Sequence, residues 1–159
     1  MWLKICLQIG LAAGPDVALA QDPSLGTWRL NVSQSKPGEA AVPKTMVVRE
    51  QEGKWIRVTT VFAQPGAGGG GERRETYRMK RDSQDYPVTG ALHYNSVSGI
   101  AIDLQTLETV FKQDGREVSR CTARYARDGQ TGEIRCATGD AKGKRTLSVL
   151  AWDREGSEY

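Results

Sequence analysis

Residues 24–31 read Ser-Leu-Gly-Thr-Trp-Arg-Leu-Asn, and this stretch decides how the rest of the chain is read. It is the first strand-like segment, and its alternation puts Trp28 and Leu30 on one face. The residues before it have a different character. Lys4 supplies a short positive region, Ile5 to Ala13 is mostly apolar, and Ala18-Leu19-Ala20 places small residues at the two positions a signal peptidase reads before Gln21. We read residues 1–20 as a signal peptide and 21–159 as a single domain, secreted or periplasmic after cleavage between Ala20 and Gln21. The apolar run falls short of the roughly 20 residues that span a bilayer and is followed by Pro15-Asp16, so no stable membrane anchor is expected.

Composition agrees with a strand-rich domain. The chain has 159 residues, 38% of them hydrophobic and 26% charged, enough for one buried core. Glycine is plentiful at 18 and aromatics are only 7%, which suits many short strands and turns. A net charge of +3 gives no nucleic-acid footprint. Losing residues 1–20 removes Lys4 and Asp16 together and leaves that charge unchanged.

Cysteine usage fits export. Only Cys121 and Cys136 follow the signal segment, an even pair suited to an oxidising compartment. They flank the turn Arg127-Asp128-Gly129-Gln130, and a hairpin centred between Asp128 and Gly129 sets the two sulfurs opposite each other. A cross-strand disulfide fits, with two buried thiols in contact as the alternative. A metal site does not, because His93, the only histidine, is far away in sequence.

Period-two alternation continues along the chain while helical periodicity is missing. Thr45 to Glu50 and Lys54 to Phe62 form a hairpin about Gly53, with Ile56, Val58, Thr60 and Phe62 on one face. The glycine run between Gln64 and Glu72 lacks the Lys-Ser/Thr pair of a phosphate loop and reads as a hairpin tip. Arg73 to Lys80 sets Tyr77 and Met79 against Arg74, Thr76, Arg78 and Lys80. Asp82 to Asn95 reads as a long connection, and its lone His93 receives no role. Ser98 to Leu104 would turn Ile100, Ile102 and Leu104 inward, followed by Leu107, Thr109 and Phe111 in the next strand. Asp114-Gly115 is a two-residue hairpin signal leading into Arg116 to Ala126, Gly132 to Thr138 and Arg145 to Asp153. Arg116, Arg120, Arg124 and Arg135 form a positive stripe read as a solvated outer face.

Eight or nine short strands joined by tight turns imply an all-β, antiparallel up-and-down barrel, since closure removes exposed edges. The blocks Asp22 to Lys36, Asp85 to Gly90 and Thr106 to Gly115 resemble a family of small exported bacterial lipocalin-like proteins of calycin type. That resemblance implies structural roles for three residues. Gly26 and Trp28 match the Gly-x-Trp element whose tryptophan plugs the closed barrel end, and Arg154 matches the arginine that packs on it. The Thr-Asp-Tyr element of lipocalins has no counterpart, because Asp85-Tyr86 falls too early.

With these faces, the interior wall would comprise Phe62, Tyr77, Met79, Ile100, Ile102, Phe111 and Tyr125, an apolar lining with two phenols that suits a small lipophilic or amphipathic ligand. The same side chains could instead fill the barrel, leaving a structural or protein-interaction module. A third reading is a cofactor-free isomerase or cyclase using Tyr77, Tyr125, Glu75 and Glu117. No Ser-His-Asp order, paired histidine or Gly-x-Ser-x-Gly elbow is present, so no catalytic residue, cofactor or metal is assigned.

Overall fold

The computed structural model describes residues 21–38, 44–64 and 70–156. Residues 1–20, read above as a signal peptide, most of the glycine run and part of the first loop lie outside them. Ten antiparallel strands follow in chain order: β1 (Gly26–Lys36), β2 (Lys44–Glu52), β3 (Trp55–Ala63), β4 (Glu72–Met79), β5 (Tyr86–Thr89), β6 (Ser96–Ala101), β7 (Thr106–Gln113), β8 (Arg116–Tyr125), β9 (Thr131–Gly139) and β10 (Arg145–Arg154). Each pairs with its neighbours in sequence, and β1 also pairs with β10, closing the sheet into a barrel. The all-β barrel expected from sequence is therefore present, with ten strands rather than eight or nine.

Closure defines two ends. One end holds the start of β1, the end of β10 and the hairpin turn between β8 and β9; we call it the Trp28 end. The other holds the starts of β2 and β4 and the ends of β7 and β9. Connections are tight where turn chemistry permits: at Asp114-Gly115 both residues take positive φ, 50° and 80°, as a two-residue hairpin of primed type requires.

Two stretches of wall depart from the sequence reading. What looked like one long connection contains β5, a four-residue strand that includes Pro87 and holds only two residue pairs with each neighbour. Proline removes a ladder donor, which keeps this strand short and its signal weak. In β6, Ile100 lies opposite Glu108 and Val97 opposite Phe111, so the inward residues are Val97, Gly99 and Ala101. Ile100 and Ile102 are 40% and 60% exposed and do not line the interior as expected, and Leu104 is exposed too. The cause is local packing. A Cβ at Gly99 would stand 2.8 Å from the Met79 methyl, so Met79 fills the space that only glycine leaves open on that face. Shifting β6 by one residue would reverse every side chain on it.

The core follows the inward faces. Trp28, Val47, Ile56, Val58, Tyr77, Met79, Val97, Leu107, Ala123, Tyr125, Leu150 and Trp152 form one buried cluster. Cys121 and Cys136 pair in register between β8 and β9 and are joined by a disulfide, S–S 2.08 Å, as the hairpin symmetry implied. A bonded pair of this kind suits a non-cytoplasmic environment.

Candidate functional site

The Trp28 end is closed by a hydrogen-bonded polar cluster, in which Arg81 Nε lacks a partner. Trp28 is 1% exposed, donates its indole N–H to the Ser24 carbonyl at 3.0 Å, and lies 5.0 Å from the Tyr125 ring. Arg154, opposite Trp28 across the β1–β10 ladder, carries its guanidinium 4.8 Å above the indole. That guanidinium also donates to the Pro23 carbonyl at 2.8 Å and to the Gly129 carbonyl. Gly26, with φ of 117°, is required here because a Cβ would fall 2.4 Å from Arg154 Nη1. Below this layer Arg81 pairs with Asp22 at 2.6 Å and donates to Ser24 Oγ at 2.7 Å. Gly26, Trp28 and Arg154 thus come together as one plug.

Beside this plug, on the β2 position opposite Gly26, the interior becomes basic, which the sequence reading missed. Arg49 shares its β2 face with Val47, is only 7% exposed, and sits 5.8 Å from the Tyr125 ring centroid. Its Nε and Nη1 have no hydrogen-bond partner, nor does the buried indole N–H of Trp152. Burial holds the phenols of Tyr77 and Tyr125 above their ordinary range, and Arg49 is the foremost influence drawing each back down.

Toward the far end a second cluster surrounds Glu75, the one carboxylate on the inward faces of the described strands. Glu75 is 4% exposed, receives Arg73 Nη1 at 2.5 Å, and accepts a short hydrogen bond from the Tyr94 hydroxyl. Burial first and Glu75 second push the Tyr94 phenol far up. Tyr94 packs on Phe111 at 4.7 Å, Arg73 lies 4.1 Å over the Phe62 ring, and half-buried Lys44 lies 5.9 Å from the same ring. Desolvation lowers the Lys44 ammonium below its usual range while Glu75 opposes the shift. Besides Arg154 in the plug, the inward cations Lys44, Arg49 and Arg73 therefore face a single carboxylate on the described strands. The parity of Arg49 with Val47 and of Arg73 with Tyr77 and Met79 was the available signal, whereas Lys44 faces inward through the register shift that follows it.

Of the residues expected to line the interior, Phe62, Tyr77, Met79, Phe111 and Tyr125 do face it. Phe62, Tyr77, Met79 and Tyr125 are buried and Phe111 is half-buried. The carboxylates offered for catalysis separate: Glu75 is inside, whereas Glu117 lies outside and bonds Arg120 at 2.7 Å. The arginine stripe is likewise paired in part, with Arg120 on Glu108 at 2.5 Å and Arg135 on Glu133 at 2.6 Å.

Two hollows occur elsewhere. One, about 230 Å³, opens on the outer wall between Ile100, Glu108, Lys112 and Arg120. The other, about 10 Å³, lies at the Trp28 end beside Asp22, Arg81 and Leu107. Among the described residues no group of three or more His, Cys, Asp or Glu side chains could hold a metal ion. No protein family, curated protein or solved structure matches the chain.

Proposed function

We propose that this protein is an exported lipocalin-like barrel that binds a small amphipathic molecule within its interior. The observation that carries the reading is the incomplete burial of inward-facing apolar side chains. Leu30, Phe111 and Ile134 all pack against the core cluster, yet each keeps accessible surface. Inward Thr138 is exposed and Ser148 half-buried at the end away from Trp28. Side chains at an open mouth keep surface in any barrel, but Leu30 and Ile134 lie within their strands, opposite buried Trp152 and Leu150. The closed Trp28 end then serves as the floor, with entry from the Phe62, Tyr94 and Phe111 side.

Export is supported by the disulfide and by the signal-like residues 1–20. The test is titration of the purified protein with the neutral fluorophore N-phenyl-1-naphthylamine. Saturable one-to-one enhancement is expected, with competition by apolar amphiphiles. A flat titration would reject interior binding.

A second reading, a protein partner on the outer wall, is favoured by exposed Ile100, which lines the outer hollow, and by exposed Ile102 and Leu104 in the turn after β6. It predicts a periplasmic partner that is lost in the Ile102→Ser/Leu104→Ser variant, without any effect on fluorophore binding.

A further inference from the structure

We propose that Arg49 anchors the carboxylate head of the amphipathic ligand, so that the barrel selects a monoanion with an apolar body. This rests on the interior-binding reading above and adds the class of molecule bound. Arg49 is 93% removed from solvent, yet two of its guanidinium nitrogens have no protein acceptor. Buried donors are nearly always paired, and an unpaired charged one is among the costlier defects a fold can carry. Here the unpaired group lies inside the barrel, against the ring of Tyr125, on the same face as Val47 and opposite Val58 across the β2–β3 ladder. Trp152 adds a third buried N–H without an acceptor from another inward face.

The potential acceptors near Arg49 are the phenol oxygens of Tyr77 and Tyr125, and neither bonds its Nε or Nη1. The one carboxylate on the inward faces of the described strands, Glu75, is already engaged by Arg73 and Tyr94, and Asp22, whose charge also reaches Arg49, is engaged by Arg81. An acceptor from outside the chain would satisfy Arg49. One negative charge balances Arg49. A dianion such as phosphate would have to shed far more hydration beside Val47, Val58 and the two phenols, and this favours a carboxylate. The body of the ligand would extend toward Phe111 and Ile134, whose inward faces keep accessible surface.

The experiment compares decanoate, decanol and inorganic phosphate at pH 7, read by intrinsic tryptophan fluorescence and by the indole N–H resonances of ¹⁵N-labelled protein. Wild-type protein should prefer decanoate to decanol by roughly tenfold to a hundredfold, the range of a charge-assisted hydrogen bond. The Trp152 resonance should move with decanoate. Arg49→Met should bind both chains alike, and without ligand it should melt no lower than wild type. Equal binding of decanoate and decanol by wild type, retained preference in Arg49→Met, or tighter binding of phosphate than of decanoate would overturn the role of Arg49 while leaving interior binding standing. If neither decanoate nor decanol binds, the binding reading itself fails. Should Arg49→Met not fold, Arg49 is structural and the proposal falls, unless the Trp152 shift and the chain-length-matched preference are both present in wild type.

Discussion

Replacing Gly26 by alanine tests the plug at the Trp28 end through two separable costs. The first is backbone strain: at φ of 117° a side chain costs about 1–3 kcal/mol. The second comes from Arg154, whose Nη1 would lie 2.4 Å from the new methyl. A free arginine tip would swing aside cheaply, but this one is held by the Pro23 and Gly129 carbonyls and by the Trp28 ring. Displacing it gives up stacking worth roughly 0.5–2 kcal/mol and at least one charged hydrogen bond worth about 1.5–3 kcal/mol. The total for Gly26→Ala is then about 3–8 kcal/mol, measured by urea unfolding with tryptophan fluorescence.

Gly53→Ala is the control, because φ there is 62° and nothing lies within 4 Å of the added carbon. It should cost only about 1–2 kcal/mol. Combining Gly26→Ala with Arg154→Met removes the clash, so the double variant should be less unstable than the sum of the two by about 1–3 kcal/mol. If Gly26→Ala costs no more than Gly53→Ala, or if the two changes add, Arg154 is not pinned as described.

Other consequences can be measured on the same unfolding scale. The disulfide closes a loop across a separation of 15 residues, so Cys121→Ala/Cys136→Ala should lose about 3 kcal/mol and become insensitive to reductant; an unchanged midpoint would remove the bridge from the account. Glu75→Gln leaves Arg73 and Lys44 without their buried counter-charge and should cost roughly 3–5 kcal/mol, more than any single change to the exposed Arg135–Glu133 pair. Partial burial alone would raise the Asp22 carboxyl, but bonds from Ser24 and Arg81 outweigh it and hold the group below 3.8. Its stabilisation is therefore complete above the unfolded value and fades as pH falls through the lower folded one. Asp22→Asn should be less stable at pH 7 and show a flatter acid limb; parallel acid curves would disprove the coupling.

The barrel was legible because its determinants are local. Alternation in Ile56 to Phe62 and in Leu107 to Phe111, together with hairpin chemistry at Asp114-Gly115 and Asp128-Gly129, sets strand type and order without long-range information. The Cys121–Cys136 pairing followed from the same symmetry. What the sequence hid depends on neighbours. β5 is held by pairing rather than by its own four residues, and the face of β6 is chosen by Met79 filling the gap at Gly99. Arginines in strands usually point to water, so Arg49 and Arg73 were passed over although they share parity with inward Val47 and Tyr77; the strand register then fixes the face they take.

Two arginines of this barrel show what separates a structural cation from a binding one. Arg154 and Arg49 both face inward near the Trp28 end, on strands that flank β1 from either side. Arg154 has its guanidinium bonded to two carbonyls and stacked on Trp28, and its surroundings include Gly26, which no other residue could replace without displacing it. That is the pattern of a group retained for stability. Arg49 is more deeply buried than the half-buried Arg154, and against it stands the Tyr125 ring but no carbonyl acceptor for its Nε or Nη1. Stability alone would favour methionine or leucine at this position, since a well-packed apolar side chain avoids desolvating a charge. A cation buried with unpaired donors near the phenols of Tyr77 and Tyr125 is more economically explained by what it holds than by what it supports. The Arg49→Met variant therefore carries opposite signs under the two explanations. It raises or preserves stability and abolishes selectivity if Arg49 is for binding, and it lowers stability if Arg49 is a second plug.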